Sequence, residues 1–174
     1  MDEKIEYKNR IYHKRNGMWY DERYCEVPTG LQSELNSAYN KSINYENLNY
    51  STIIKIADDY KRSGSFIMAI RTYEKAIEKT EKVDEIKYIL PRITSCYRKN
   101  NQAHKAVELY GKICEKYGYE ILNEVLLTSI AAAYCDLGQF ENARKCANKA
   151  YAINNGKSSE ELRLVYKRIE KNTK

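Results

Sequence analysis

From residue 50 onward the apolar positions of this chain fall into helical stripes. Ile53, Ile56, Ala57 and Tyr60 recur at the i, i+3, i+4, i+7 spacing of one helix face. Arg62-Ser63-Gly64 then supplies a basic last turn and a glycine stop. A second stripe follows at once in Phe66, Ala69, Ile70, Tyr73, Ala76 and Ile77. The two-helix pattern then returns. Segments Ile56 to Ala76, Ile93 to Ile113 and Ile130 to Ala150 align without a gap, their starts 37 residues apart. Tyr60, Tyr97 and Tyr134 coincide, as do Ala69, Ala106 and Ala143. Gly64, Asn101 and Gly138 share a turn position, and both residue types tolerate the left-handed backbone. The small residues have a mechanical reason: two antiparallel helices approach closely only where a side chain ends at its Cβ. The spacing therefore predicts three helix pairs over residues 50–157.

The two ends read differently. Gly156 can close the last repeat helix, and Ser158 with Glu161 three residues on offers a capping box. Leu162, Val165, Tyr166 and Ile169 follow at helical spacing, so 158–174 is predicted to be a helix capping the open end of the stack. At the other end Asn16-Gly17 sits between two aromatic-rich segments, the strongest short hairpin signal. Pairing across that turn sets Lys14 opposite Trp19, His13 opposite Tyr20 and Tyr12 opposite Asp21, with Pro28 ending the second strand. The expected units are thus a β-hairpin over 1–28 and, over 29–49, a short helix and polar linker. Leu31, Leu35, Ala38 and Tyr39 make the stripe of that helix, and 40–49 its linker. An isolated hairpin is marginal in water, so this one must pack on something. Pro91 falls inside the first helix of the middle unit, where a kink or a late helix start is expected.

The repeated pattern resembles the tetratricopeptide repeat. That family is marked by a small residue and a tyrosine on the first helix, a glycine at the turn, an aromatic two residues later, and two alanines on the second helix. The third unit carries all of these in Ala131, Tyr134, Gly138, Phe140, Ala143 and Ala150. The first matches with Ala57, Tyr60, Gly64, Phe66, Ala69 and Ala76, while the middle unit departs with Thr94, Asn101, Ala103 and Ile113. The family's period is about 34 residues, so each connection between units is expected to be about three residues longer here. The resemblance implies a mostly α fold. It would be a right-handed superhelical stack of helix-turn-helix repeats, with the N-terminal β-hairpin and the C-terminal capping helix added.

The resemblance also implies a concave groove lined by the first helices. Its candidate residues are Asp58, Lys61 and Arg62 in the first unit, and Tyr88, Arg92, Ser95, Arg98 and Lys99 in the middle one. The third unit offers Thr128, Ala132, Cys135 and Asp136. Lys61-Arg62 and Arg98-Lys99 hold equivalent positions and would stack into a basic stripe, although cations in a last turn also serve to offset the helix dipole. Family members that grip the C-terminal carboxylate of chaperone tails use a lysine and an asparagine on their first helix. Those places hold Ile54 and Asp58 here, and an aspartate repels a carboxylate, so that specificity is not expected.

Composition narrows the function. The chain of 174 residues has a net charge of +6, which permits an acidic or nucleic-acid partner without demanding one. No apolar run reaches the roughly 18 residues of a membrane span, and the charged start lacks the apolar core of a secretory signal. Five cysteines at unpatterned spacing read as reduced thiols, and a cytoplasmic protein is expected. Lysine-, asparagine- and isoleucine-rich usage suggests an AT-rich, bacterial genome. No phosphate loop occurs, and His13 and His104 share no ligand pattern, so neither an enzyme nor a metal or other cofactor is expected. Three readings remain. The first is an adaptor or scaffold that holds a segment of another protein, possible self-association included, through the groove or through hairpin residues Tyr12, Lys14, Arg15, Trp19 and Tyr20. The second is nucleic-acid binding, since Arg10, Tyr12, Lys14, Arg15, Trp19, Tyr20 and Arg23 interleave cations with rings. The third is an intracellular peptide sensor, for which three repeats are short.

Overall fold

The computed structural model describes residues 3–42 and 45–173. Residues 1–2, 43–44 and 174 of the units expected above lie outside the described residues. The chain is mostly helical, with a small antiparallel sheet at its N-terminus.

The repeat region forms α2 (Tyr50–Arg62), α3 (Phe66–Glu78), α4 (Val83–Lys99), α5 (Ala103–Tyr117), α6 (Glu124–Asp136) and α7 (Phe140–Ile153). The second helix of each pair starts at Phe66, Ala103 and Phe140, which keeps the 37-residue period. Each pair also turns in the same way. Gly64, Asn101 and Gly138 all take positive φ, at 77°, 57° and 70°. In each turn the following amide bonds back across six residues, Ser65 N to Tyr60 O (2.9 Å), Gln102 N to Tyr97 O (2.8 Å) and Gln139 N to Tyr134 O (2.9 Å). This is the Schellman closure, which satisfies otherwise orphaned carbonyls at a helix end. The sequence thus specifies the turn three times over, with asparagine standing in for glycine once. Ala69, Ala106 and Ala143 are buried at the helix crossings, and α4 packs on α3, α5 and α6.

Three expectations need correction here. Of the two outcomes expected at Pro91, a kink or a late start, the late start does not occur: α4 begins at Val83, four residues ahead of the position matching Tyr50 and Glu124, and runs through the proline. Ile86, Ile89, Leu90 and Ile93 are buried along one face of it. Burying such side chains is worth about 1.5–3 kcal/mol each, more together than the roughly 3 kcal/mol a mid-helix proline costs. The connections between units are not simply longer either. The surplus residues become the extra first turn of α4, and after α5 a 3-10 helix, Gly118–Ile121, whose Ile121 enters the core. At the C-terminus α8 (Glu160–Asn172) forms as expected, but its cap is Ser159, whose Oγ accepts from Leu162 N, and not Ser158. Gly156 does close α7, its amide donating to Tyr151 O.

The N-terminal unit is larger than a hairpin. Strands β1 (Glu3–Tyr7), β2 (Arg10–Arg15) and β3 (Met18–Tyr20) form an antiparallel sheet in that order. His13 pairs with Tyr20 and Lys14 with Trp19, as the turn predicts. Tyr12 does not pair with Asp21, because β3 ends at Tyr20. There Asp21 Oδ1 accepts from the amides of Arg23 and Cys25 and folds the chain into a turn, long before Pro28. Helix α1 (Thr29–Ser42) is longer than expected and takes in the start of the presumed linker, while Tyr45–Asn47 forms a 3-10 helix. Helix α1 packs on β1 and β3 through a small core of Tyr12, Trp19, Val27 and Leu35. Gln32 Nε2 donates to Trp19 O while Gln32 Oε1 accepts from Trp19 N, and Asn36 Oδ1 takes the indole proton. These two buried polar residues lie four apart on α1 and satisfy the end of β3.

Candidate interaction surface

Helices α2 and α4 meet through side chains: Arg92 reaches Asp58, and the Tyr50 hydroxyl donates to Glu85 O (3.1 Å). Between them lies a depression lined by Lys55, Asp58, Lys61, Arg62, Arg92 and Lys99. A second, toward α6, is lined by Ser95, Arg98, Lys99, Asn101, Ala103, Asp136 and Leu137. Lys99 belongs to both, so the two are continuous. Eight of the residues singled out from the sequence meet here: Asp58, Lys61, Arg62, Arg92, Ser95, Arg98, Lys99 and Asp136. Lys55, which also lines the face, was missed. Its signal was present, since it stands 37 residues before Arg92.

The charges on this face divide into two groups. The arginines are engaged within the chain. Arg92 Nε stands 3.7 Å from Asp58 Oδ1, and its guanidinium lies 3.5 Å over the Tyr88 ring. Asp58 also accepts from the hydroxyl of buried Tyr73 (2.5 Å). Arg62 pairs with Asp59 one turn back. Arg98 Nε and Arg168 of α8 both donate to Asp136, at 2.5 and 2.6 Å. Burial alone would raise the Asp136 carboxyl, but the hydrogen bonds from Arg98 and Arg168 outweigh it and hold the group below the usual aspartate range. By contrast Lys55, Lys61 and Lys99 enter no ion pair among the described residues. Beneath them burial pushes the Cys96 thiol up to about 11, with Lys61 and Lys99 pulling the other way.

Other candidates fall elsewhere. Tyr88 is exposed on α4 under Arg92 but lines neither depression. Thr128 is buried at 5% exposure, its hydroxyl within 3.3 Å of Glu124 Oε1. Ala132 and Cys135 are buried at 7% and 5%. The cause is α8, whose Leu162, Val165 and Ile169 pack on Leu127, Ala131, Ala132 and Cys135. The capping helix therefore occupies the face of α6 that would have continued the surface.

The hairpin candidates are taken up inside the N-terminal unit. Trp19 is fully buried, and Tyr12 and Lys14 are 6% and 5% exposed. Lys14 Nζ points into a cage of three rings, 5.6 Å from the centroid of Trp19, 5.1 Å from Tyr39 and 4.8 Å from Tyr60. The Glu3 carboxylate stands 3.5 Å away. Tyr60 belongs to α2, so this cage joins the sheet to the repeats. Beside it Gly17 (φ 84°) brings the β2–β3 turn against α2, where an added Cβ would lie 3.3 Å from Asp59 O. Tyr20 is half-buried, and Arg15 is exposed with its guanidinium 4.7 Å over Tyr24. Among the described residues no three His, Cys, Asp or Glu side chains are grouped to hold a metal, and no helix is long and apolar enough to cross a membrane.

No protein-family model matches the chain, and no curated protein is similar to it.

Proposed function

We propose that this chain is a non-enzymatic interaction module that holds a segment of another protein on the face formed by α2 and α4. In this reading the three helix pairs are tetratricopeptide-like repeats, the N-terminal sheet and α1 cover one end of the stack, and α8 covers the other. The observation that carries the proposal is the gathering of eight polar first-helix residues singled out from the sequence, from three units far apart along the chain, into two continuous depressions. A rigid stack of this kind is preorganised and loses little entropy when a segment is laid on it. A cytoplasmic setting fits the five unpaired thiols.

The nucleic-acid reading loses two of its three rings. Single-strand binders offer open rings to stack on bases, whereas Trp19 and Tyr12 are enclosed by α1 and the sheet.

The test is a photo-crosslinker, p-benzoylphenylalanine, placed at Ser95 in the full-length chain, with Lys112 on α5 as the control position. Irradiation in lysate of the source organism, after nuclease treatment, is expected to give discrete protein adducts at Ser95 and none at Lys112. Equal labelling at the two positions, or adducts that vanish with nuclease, would refute the proposal.

A further inference from the structure

We infer that the segment held on this face is acidic: a run of Asp and Glu from a partner protein, its carboxylates set over Lys55, Lys61 and Lys99. The inference rests on the reading of the α2–α4 face as the binding surface and adds the chemistry of the partner.

The argument is one of charge accounting. Six cations line the two depressions, and the carboxylates among them, Asp58 and Asp136, are already engaged. Asp58 accepts from Tyr73 and faces Arg92, while Asp136 is shared by Arg98 and Arg168. Arg62 has Asp59. The positive charge left over is carried by three lysines on one face. Such a concentration draws an anionic partner within a Debye length of about 10 Å.

The identity of the free cations selects among anions. Guanidinium groups clamp phosphate through a planar fork, whereas lysine ammoniums act as point charges with three rotatable donors. On this face the arginines are committed to aspartates inside the chain, and only lysines remain. Neither depression has an aromatic residue in its lining, so a nucleic-acid strand would find cations without stacking platforms. Lys99 itself rests over the Phe66 ring at 5.3 Å. A carboxylate-rich peptide asks for charge without either device. Beyond Lys99 the second depression offers Ser95 and Asn101, which suit the backbone of a segment passing across α4.

Fluorescein-labelled hexaglutamate and hexaglutamine, an oligothymidine of similar charge and a phosphoserine peptide are titrated with the full-length chain by fluorescence anisotropy. Salt runs from about 50 to about 300 mM. Hexaglutamate is expected to bind about tenfold or more tighter than hexaglutamine and to weaken steeply with salt. Lys61→Gln with Lys99→Gln is expected to weaken it about fivefold or more. Lys55→Gln, at an exposed position, should weaken it without any risk to the fold. The control Lys75→Gln with Lys112→Gln, on α3 and α5, should leave binding unchanged. Equal affinity for the two hexapeptides, tighter binding of the oligothymidine or phosphoserine peptide, or an equal loss in the control would overturn the inference. If Ser95 still captures a protein while hexaglutamate binds no better than hexaglutamine, the acidic partner is refuted and the interaction surface stands. If Ser95 captures nothing, both fall.

Discussion

Replacing Lys14 by Met tests whether the aromatic cage fastens the N-terminal unit to the repeats. Methionine keeps an apolar stem of similar length and removes only the charge. The ammonium lies 4.8–5.6 Å from three ring centroids, one of which, Tyr60, belongs to α2. A cation–π contact is worth about 0.5–1 kcal/mol when exposed and about 2 when desolvated, so three at intermediate value give about 3 kcal/mol. The ion pair to Glu3 adds about 0.5 kcal/mol, discounted because that carboxylate is 32% exposed. Against this stand the ammonium's own desolvation and about 1 kcal/mol of sulfur–aromatic contact recovered by methionine. The net expectation is a loss of about 2 kcal/mol.

That loss belongs to docking, because the unit has a small core of its own around Trp19 and Leu35. Hydrogen exchange resolved by peptide is the assay. With about 1.4 kcal/mol per factor of ten, amides of β2, β3 and the start of α2 should exchange about 30-fold faster in Lys14→Met, with α6 and α7 unchanged. Two results would refute the reasoning. Unchanged exchange in β2 and β3 would mean that the cage contributes no docking energy. An equal rise in α6 and α7 would mean that sheet and repeats open as one unit, with no separable joint between them.

Gly138→Ala should cost about 1 kcal/mol, since the space around that position is open and the penalty is the positive φ alone; Asn101→Gly should gain part of that amount. Thermal unfolding should move by about 3 °C per kcal/mol in a chain of this size, down for the first and up for the second. With Ellman's reagent the native protein should show one fast thiol, exposed Cys25, which Cys25→Ser abolishes. Cys96, Cys114, Cys135 and Cys146, all pushed up by burial, should react only slowly or on unfolding. Asp136 supplies an acid dependence. Its folded-state pKa lies below that of the unfolded chain, so its contribution is fully present above the unfolded value of about 3.9 and is lost as pH falls through the folded value. In acid unfolding followed by circular dichroism, wild type should lose stability toward low pH more steeply than Asp136→Asn. The variant is weaker at pH 7, and the gap closes as pH falls below the usual aspartate range.

Much of the fold was legible because its signals are local. The apolar stripes and the left-handed turn residues each act within a few positions, the 37-residue period repeats them, and each reappears in the structure as a helix or a Schellman closure. What was not legible depended on distant partners. Strand β1 was missed because its turn, Lys8-Asn9, reaches positive φ at both residues without a glycine to announce it. Gln32 and Asn36 lie off the apolar stripe of α1, and only Trp19, distant in sequence, gives them their bonds. Trp19 and Lys14 read as exposed hairpin residues for the same reason, since nothing in residues 10–23 reveals that α1 and Tyr60 will enclose them. Arg98 looked like a free cation because Asp136 and its second partner, Arg168, lie in other helices.

The ends of the stack settle how wide its open face can be. Every repeat leaves one side of its first helix for the next to cover, and the last must be covered by something that is not a repeat. Here α8 does this, and in doing so it buries Ala132 and Cys135 on α6. Those positions correspond to Ser95 and Arg98 on α4 and to Asp58 and Lys61 on α2. The side chains follow the same division: small or apolar where α8 packs, polar or charged where nothing does. At the other end the β2–β3 turn meets α2 at Asp59, the residue that holds Arg62, so the N-terminal unit borders the face without covering Lys55 or Lys61. The three helix pairs therefore leave a surface two helices wide, bordered by the N-terminal sheet on one side and α8 on the other, and Lys55, Lys61 and Lys99, which enter no ion pair among the described residues, all lie within it.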